Sequence, residues 1–175
     1  MKALIITGKY VTDSEYTFAL YYLPSEGVSV DVATLDGQPT AGILGEKVIP
    51  TLPGIPDIYT TYDILILPGG AKAMEYLRQS RAVLNYIEAH HRRGGFIGCI
   101  CHGAQLLISA GLVRGRRISG YYSIKDDITN AGGEFVDAPF VTDGRIVTSP
   151  HYRYLGFWMR EVLRVANPTY RVDVP

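Results

Sequence analysis

A cysteine, a histidine and a glycine, Cys101-His102-Gly103, stand at the end of a short apolar run from Phe96 to Ile100. The reactive form of a thiol is its thiolate, so the question is what would make Cys101 ionise or give up its proton. The apolar run reads as a buried strand, and Ala104 to Ala110 carries a helical pattern. The cysteine therefore falls on a sharp strand-to-helix turn. There the free N–H groups and the N-terminal dipole of the coming helix favour a thiolate. Nucleophilic serines occupy the same kind of elbow in other α/β enzymes. A free cysteine is often just a small core residue. At Cys101 the turn, the adjacent histidine and the small Gly103-Ala104 pair favour the nucleophile instead. Cys99, inside the strand, reads as structural.

Other residues with chemical potential carry less. Two cysteines separated by one residue neither staple a fold nor match the usual zinc-ligand spacing. His90-His91, before Arg92-Arg93-Gly94, reads as a solvated helix end, where cations complement the C-terminal dipole, and not as a metal site. Thirteen tyrosines is a high count. Tyr16, Tyr21 and Tyr22 share one helical segment, while Tyr121-Tyr122 and Tyr152/Tyr154 flank loops near the expected site. Such clusters serve packing or interfaces, or line a pocket.

The elements that must position Cys101 follow from periodicity and turn chemistry. Ala3–Thr7 reads as a strand, and Asp13 as the cap of a helix to about Ser25. Strands follow at Val28–Ala33 and Asp63–Leu67. Between them lies a Gly-, Pro- and Thr-rich stretch with a short β piece at Lys47–Pro50. Pro68-Gly69-Gly70 ends the apolar run Asp63–Leu67, and helices follow at Ala71–Leu77 and Arg81–Arg92. After the elbow come a strand near Arg116–Ser119 and a helix at Lys125–Ala131. Short strands follow at Phe135–Val136, Phe140–Val141 and Ile146–Thr148, with Asp143-Gly144 as a hairpin turn. A closing helix spans Tyr154–Val165. Strands alternating with helices predict a doubly wound, mostly parallel sheet with helices on both faces. Ligands bind such sheets beyond the strand C-termini, where the strand order switches. Pro68-Gly69-Gly70 and Cys101 both lie at strand C-termini and are expected in one crevice.

The bulk numbers set limits. The chain has 175 residues, suited to one α/β domain over 1–175 with a tail from about residue 167. Hydrophobic residues make up 47%, charged residues 19%, and the formal net charge is zero. Nothing here favours nucleic acid or an anionic membrane as partner. No apolar stretch spans a bilayer, and Met1–Thr7 reads as a first strand, not a signal peptide. Reduced cysteines fit a cytoplasmic setting.

In order and at these spacings, several motifs together resemble the ThiJ/PfpI superfamily, its PfpI-like branch above all. They are Leu67-Pro68-Gly69-Gly70, Ile100-Cys101-His102-Gly103, Gln105 to Gly111 and Gly115-Arg116-Arg117. They continue with Ile124 to Ile128, Asn130-Ala131-Gly132, Val141 to Gly144 and Trp158-Met159-Arg160-Glu161. The resemblance covers almost the whole chain. It implies a flavodoxin-like sandwich, akin to the glutaminase domain of amidotransferases. It implies Cys101 as nucleophile or redox-sensitive thiol, His102 as its companion, and Glu15 as a first-helix glutamate hydrogen-bonded to the thiol. An oxyanion pocket would come from backbone N–H groups at Gly69, Gly70, Ala71 and His102. Homo-oligomers, dimers or hexamers, are implied, and no cofactor is.

A carboxyl buried beside a thiolate is expected to be protonated, because two adjacent negative charges raise one pKa. Glu15 would then donate a hydrogen bond and shuttle a proton.

The chain departs from the pattern in four places. Thr12 stands where a second acidic residue is usual, and Ala104 where proline is usual. Met74 occupies the position of a glutamate that, in peptidase-like members, reaches a neighbouring subunit's Cys-His pair. Glu75 is next to it, but one residue turns a helical side chain by about 100°. In the run Thr148-Ser149-Pro150-His151-Tyr152-Arg153-Tyr154, two Tyr and a His replace the usual polar set before the last helix. If this loop borders the pocket, the substrate differs from the family's common ones; Thr12, Tyr122 and His151 are the candidates for its substrate side.

The expected function is cysteine-dependent chemistry on a small electrophilic metabolite, such as an aldehyde, α-oxoaldehyde, nitrile-like or acyl carbon. Hydratase, hydrolase or glyoxalase III/deglycase types fit better than peptide cleavage. One alternative is a redox or stress-response module whose Cys101 is oxidised without turnover. Another is a ligand-binding domain with an unreactive Cys101.

Overall fold

The computed structural model describes residues 1–171. In chain order the elements are β1 (Lys2–Ile6), α1 (Asp13–Ser25), β2 (Ser29–Ala33), β3 (Thr40–Ala41), β4 (Lys47–Val48) and β5 (Ile64–Leu67). Then come α2 (Ala71–Leu77), α3 (Arg81–Arg92), β6 (Phe96–Ile100), α4 (Ala104–Ser109), β7 (Arg117–Ile118), α5 (Lys125–Asn130) and β8 (Glu134–Phe135). β9 (Val141–Asp143), β10 (Ile146–Ser149) and α6 (Leu155–Ala166) close the chain. The main sheet has the order β2-β1-β5-β6-β10-β9. Its pairs are parallel except for the edge hairpin of β9 with β10.

The side-chain alternation of the central strands builds two cores. Leu4, Ile6, Leu65, Leu67, Ile97, Cys99 and Ile146 face one side, under α2 to α5. Ala3, Ile5, Ile64, Ile66, Ile100 and Val147 face the other, under α1 and α6. Strands covered on both faces must be apolar throughout, which explains the unbroken runs Ile64–Leu67 and Phe96–Ile100. On the second face Trp158 is fully buried and its indole N–H donates to the Val147 carbonyl at 3.1 Å.

The chain leaves β1 outward to β2 and returns across it to β5, so the strand order switches between β1 and β5. Such a switch point is where ligands of doubly wound sheets bind, at the C-terminal ends of the two strands. The Gly8–Thr12 loop borders it on one side and Pro68-Gly69-Gly70 on the other. β6, which carries Cys101 at its end, is the next strand.

Several local expectations are corrected. Asp13 does not cap α1; Thr12 holds the N-cap position and Asp13 is the first helical residue. The Asp13 carboxylate instead accepts the N–H groups of Leu44 and Glu46, each at 2.8 Å, and so ties down the β3–β4 hairpin. His90 is not solvated. It is buried, stacks on Tyr86, and its Nε2 sits 2.9 Å from the Phe96 carbonyl. Part of the tail is packed as well, since Tyr170 lies against the second core with its hydroxyl 3.5 Å from that of Tyr22. Residues 172–175 lie outside the described residues. Tyr16 is core, while Tyr21 is exposed.

Candidate active site

Cys101 adopts φ +59°, one of only two non-glycine residues with positive φ among the described residues. The left-handed region disfavours a Cβ, so the surrounding structure must hold this conformation in place. The hold comes from strand β6 entering the elbow, α4 leaving it, and the Tyr121 N–H donating to the Cys101 carbonyl at 3.2 Å. The side chain emerges on the α1 face, among the second core, and is 6% exposed.

Three backbones converge there. Gly70 has φ +103°, and a Cβ on it would lie 2.5 Å from the Tyr10 carbonyl oxygen. A Cβ on Gly69 would lie 2.7 Å from Glu15 Oε2, 2.8 Å from Cys101 Cβ and 3.0 Å from His102 N. Only hydrogen fits at either position. The two glycines therefore let the carboxyl of α1 and the thiol of the elbow approach each other across the Pro-Gly-Gly turn.

Glu15 is fully buried. Its Oε2 accepts the Gly69 N–H at 2.7 Å, while Oε1 has no hydrogen-bond partner among the described residues. Burial pushes the carboxyl up to about 7, against the opposing pull of the Gly69 N–H and of Cys101. The protonated acid expected from the sequence is thus supported near neutral pH. Oε1 is the oxygen free to carry the proton.

Burial also pushes the Cys101 thiol up, and the neighbouring Glu15 charge adds to it. The N–H groups of His102 and Gly70 face the sulfur and pull the other way. The expectation that the elbow favours a thiolate is therefore corrected: desolvation outweighs the two N–H donors. The pair ionises as a unit, and Glu15 and Cys101 do not both carry charge. Cys99 is fully buried on the opposite face of the sheet, and burial raises its pKa even further.

His102 Nδ1 lies 3.4 Å from Cys101 Sγ, and its Nε2 lies 3.2 Å from the Ser123 hydroxyl. Burial lowers the His102 pKa, so the ring is neutral at rest. Its face stacks on Tyr121 at 4.7 Å between centroids. Tyr121 in turn lies 6.1 Å from His151 and 5.8 Å from Tyr122, and His151 lies 3.9 Å from Tyr152. An aromatic wall thus runs from the histidine beside the sulfur to the surface.

The remaining candidates divide. His151 joins the wall, with Nδ1 turned back to accept the Arg153 N–H at 3.2 Å. Tyr122 is exposed and meets the site only through Tyr121. Thr12 contributes backbone: its N–H donates to the Gly69 carbonyl at 3.3 Å, and its hydroxyl makes no cap. Gly69 cannot serve as an oxyanion donor, because Glu15 already occupies its N–H. The N–H groups of Gly70 and His102 face the Cys101 sulfur. Ala71 opens α2 and is exposed. Met74 points into the core, and exposed Glu75 pairs with Lys72 at 2.7 Å; within this chain Glu75 does not meet Cys101 or His102. Among the described residues, no group of three or more His, Cys, Asp or Glu side chains could hold a metal ion. No described helix is long and apolar enough to cross a membrane.

Sequence reasoning missed Ser123 and chose Tyr122 over its neighbour Tyr121. The available signal was the general need of a working histidine for a second partner that fixes its ring. It would have prompted a search for a hydroxyl or carboxylate, but not shown where.

Comparisons with known proteins show the family. The DJ-1/PfpI family model matches residues 1–165. A deglycase of Pyrococcus horikoshii is 36% identical over 94% of this chain and 99% of its own length. Protein/nucleic acid deglycase 2 of Escherichia coli is 33% identical over 93% of this chain and 95% of its own. Among solved structures, a two-domain protein of Anabaena variabilis contains DJ-1/ThiJ/PfpI-like and ferritin-like domains. It superposes with a TM-score of 0.90 at 25% identity, over 99% of this chain and 50% of that one. The motifs, the flavodoxin-like sheet and these relatives lead to one conclusion: the chain belongs to the DJ-1/PfpI family.

Proposed function

We propose that this protein is a cysteine-dependent enzyme of deglycase or glyoxalase III type, acting on a small carbonyl compound or a carbonyl-derived adduct. The observation that carries the reading is the meeting of three groups at Gly69: a buried carboxyl that titrates near 7, a thiol on a strained elbow, and backbone N–H donors around its sulfur.

The resting site holds a neutral thiol. When a carbonyl carbon arrives, the Sγ–C bond forms and the carbonyl π pair moves to oxygen. The thiol proton leaves to His102 Nδ1. In this reading the N–H groups of Gly70 and His102 hold the new oxyanion, and Glu15 protonates it. A burial-raised carboxyl is suited to this, since general acids work best with a pKa near the working pH. The aromatic wall shields the adduct from water on the side of Tyr121. A small-molecule substrate, a homo-oligomeric assembly and a cytoplasmic setting belong to the same proposal.

The test is consumption of an α-oxoaldehyde and of a glycated amine by the wild type, Cys101→Ser and Glu15→Gln. Turnover is expected in the wild type, none in Cys101→Ser, and a drop of about 10²-fold or more in Glu15→Gln. An active Cys101→Ser protein sinks the covalent mechanism. A second reading, oxidation of Cys101 without turnover, draws on the same N–H donors, which could hold sulfinate oxygens. It predicts a wild type that consumes neither substrate but accumulates a mass gain of two oxygens at Cys101 under peroxide.

A further inference from the structure

We propose that Ser123 is a positioning residue for His102, completing a Cys101–His102–Ser123 relay within one chain. The proposal rests on the nucleophile reading of Cys101 given above.

The geometry is a continuous path. Cys101 Sγ is 3.4 Å from His102 Nδ1, and His102 Nε2 is 3.2 Å from Ser123 Oγ. Ser123 is exposed, but the backbone on either side of it is fixed. Two residues before it, the Tyr121 N–H is fixed to the Cys101 carbonyl. One residue after it, Ile124 is 2% exposed and packed in the first core, and its N–H donates to the Tyr121 carbonyl at 3.0 Å. The short helical turn Tyr122–Ile124 therefore presents the hydroxyl to the ring from a backbone anchored at both ends. Tyr121 stacks on the face of the imidazole, with 4.7 Å between the ring centroids.

For His102 to take the proton of Cys101, Nδ1 must be bare and Nε2 must carry the hydrogen. Ser123 then acts as acceptor of Nε2–H. The proton passes from Sγ to Nδ1, the electron pair stays on sulfur, and the imidazolium keeps its Nε2–H bond to Ser123. No other reactant is needed. A hydrogen bond to a charged donor is stronger than one to a neutral donor, so Ser123 favours the thiolate–imidazolium state over the resting state. A carboxylate in the same place would do this more strongly. Neither Met74 nor Glu75 of the same chain supplies one.

The test is the rate of iodoacetamide alkylation of Cys101 against pH, by mass spectrometry. Ser123→Ala is expected to slow alkylation by about 3- to 10-fold near neutral pH, the loss typical of one solvent-exposed hydrogen bond. The defect should vanish at high pH, where the thiol ionises without help. A merely structural defect would lower the rate at every pH. Ser123→Thr, which keeps a hydroxyl, should recover the rate, and Ser123→Asp should exceed the wild type at neutral pH. In a His102→Ala background, Ser123→Ala should change nothing. Equal rates for wild type and Ser123→Ala at every pH would overturn the proposal, as would a Ser123→Ala defect that persists without His102. Alkylation needs no substrate. If the wild type turns over neither carbonyl compound yet shows this pH pattern, the proposed activity fails and the relay stands.

Discussion

Replacing Glu15 by glutamine should make the protein more stable at pH 8 while crippling its chemistry. The folded carboxyl sits at about 7 against 4.5 for the free group, because burial disfavours its charge. The sign follows from linkage. A folded pKa above the unfolded one means the folded state holds its proton more tightly. The associated stability is complete below about pH 4.5 and is lost as pH rises through 7. The shift of roughly 2.5 units corresponds to about 3 kcal/mol at 1.36 kcal/mol per unit. Glutamine matches the shape, keeps an oxygen for the Gly69 N–H and never ionises. The variant should therefore gain about 3 kcal/mol over the wild type at pH 8 and little at pH 4.5. Urea or guanidinium unfolding of both proteins between pH 4.5 and 8 reads this directly. Groups not coupled to Glu15 titrate alike in the two proteins and cancel in the difference, and the thiol of the unfolded chain ionises only near about 8.5. Parallel stability curves across this window would refute a burial-raised Glu15, and with it the proton donor of the proposed mechanism.

Gly69→Ala places a methyl group 2.7 Å from Glu15 Oε2 and 2.8 Å from Cys101 Cβ. It should cost about 1–3 kcal/mol in chemical unfolding and slow Cys101 alkylation, because the two groups must separate; unchanged stability and reactivity would mean the approach is looser than described. In the native protein, alkylating agents should mark Cys101 alone, since Cys99 is fully buried and its thiol is pushed well above the usual range. Peptide mass spectrometry showing both residues labelled at similar rates would contradict that asymmetry.

The framework of the fold was legible because its signals are local. Ile64–Leu67 and Phe96–Ile100 announce buried parallel strands by their unbroken apolar character, and Ala71–Leu77 and Arg81–Arg92 appear at the bounds the pattern predicts. The elbow and Glu15 were legible too, through turn chemistry and a family resemblance. What escaped depends on distant partners. Asp13 carries every mark of a helix cap, yet its partners, Leu44 and Glu46, are about thirty residues away. His90 looks like a solvated cation until Phe96 is folded over it. Tyr121 and Tyr122 are equivalent as letters, and only the anchoring of Tyr121 to Cys101 decides which one covers His102. The resting state of the thiol escaped for a different reason: the donors that lower its pKa are visible in the turn, whereas the burial that raises it belongs to the whole molecule.

Trp158 is the only tryptophan in the chain. It is sealed under β6 and β10, and its ring edge comes within 3.2 Å of where a Cβ on Gly98 would stand, three residues before Cys101. The protein thus carries a single optical reporter, placed directly behind its elbow. Its emission should be blue-shifted in the native state and move to the red only when the α6 face opens to water. Selective excitation of this indole, among thirteen tyrosines, would follow adduct formation or oxidation at Cys101 in real time without any label.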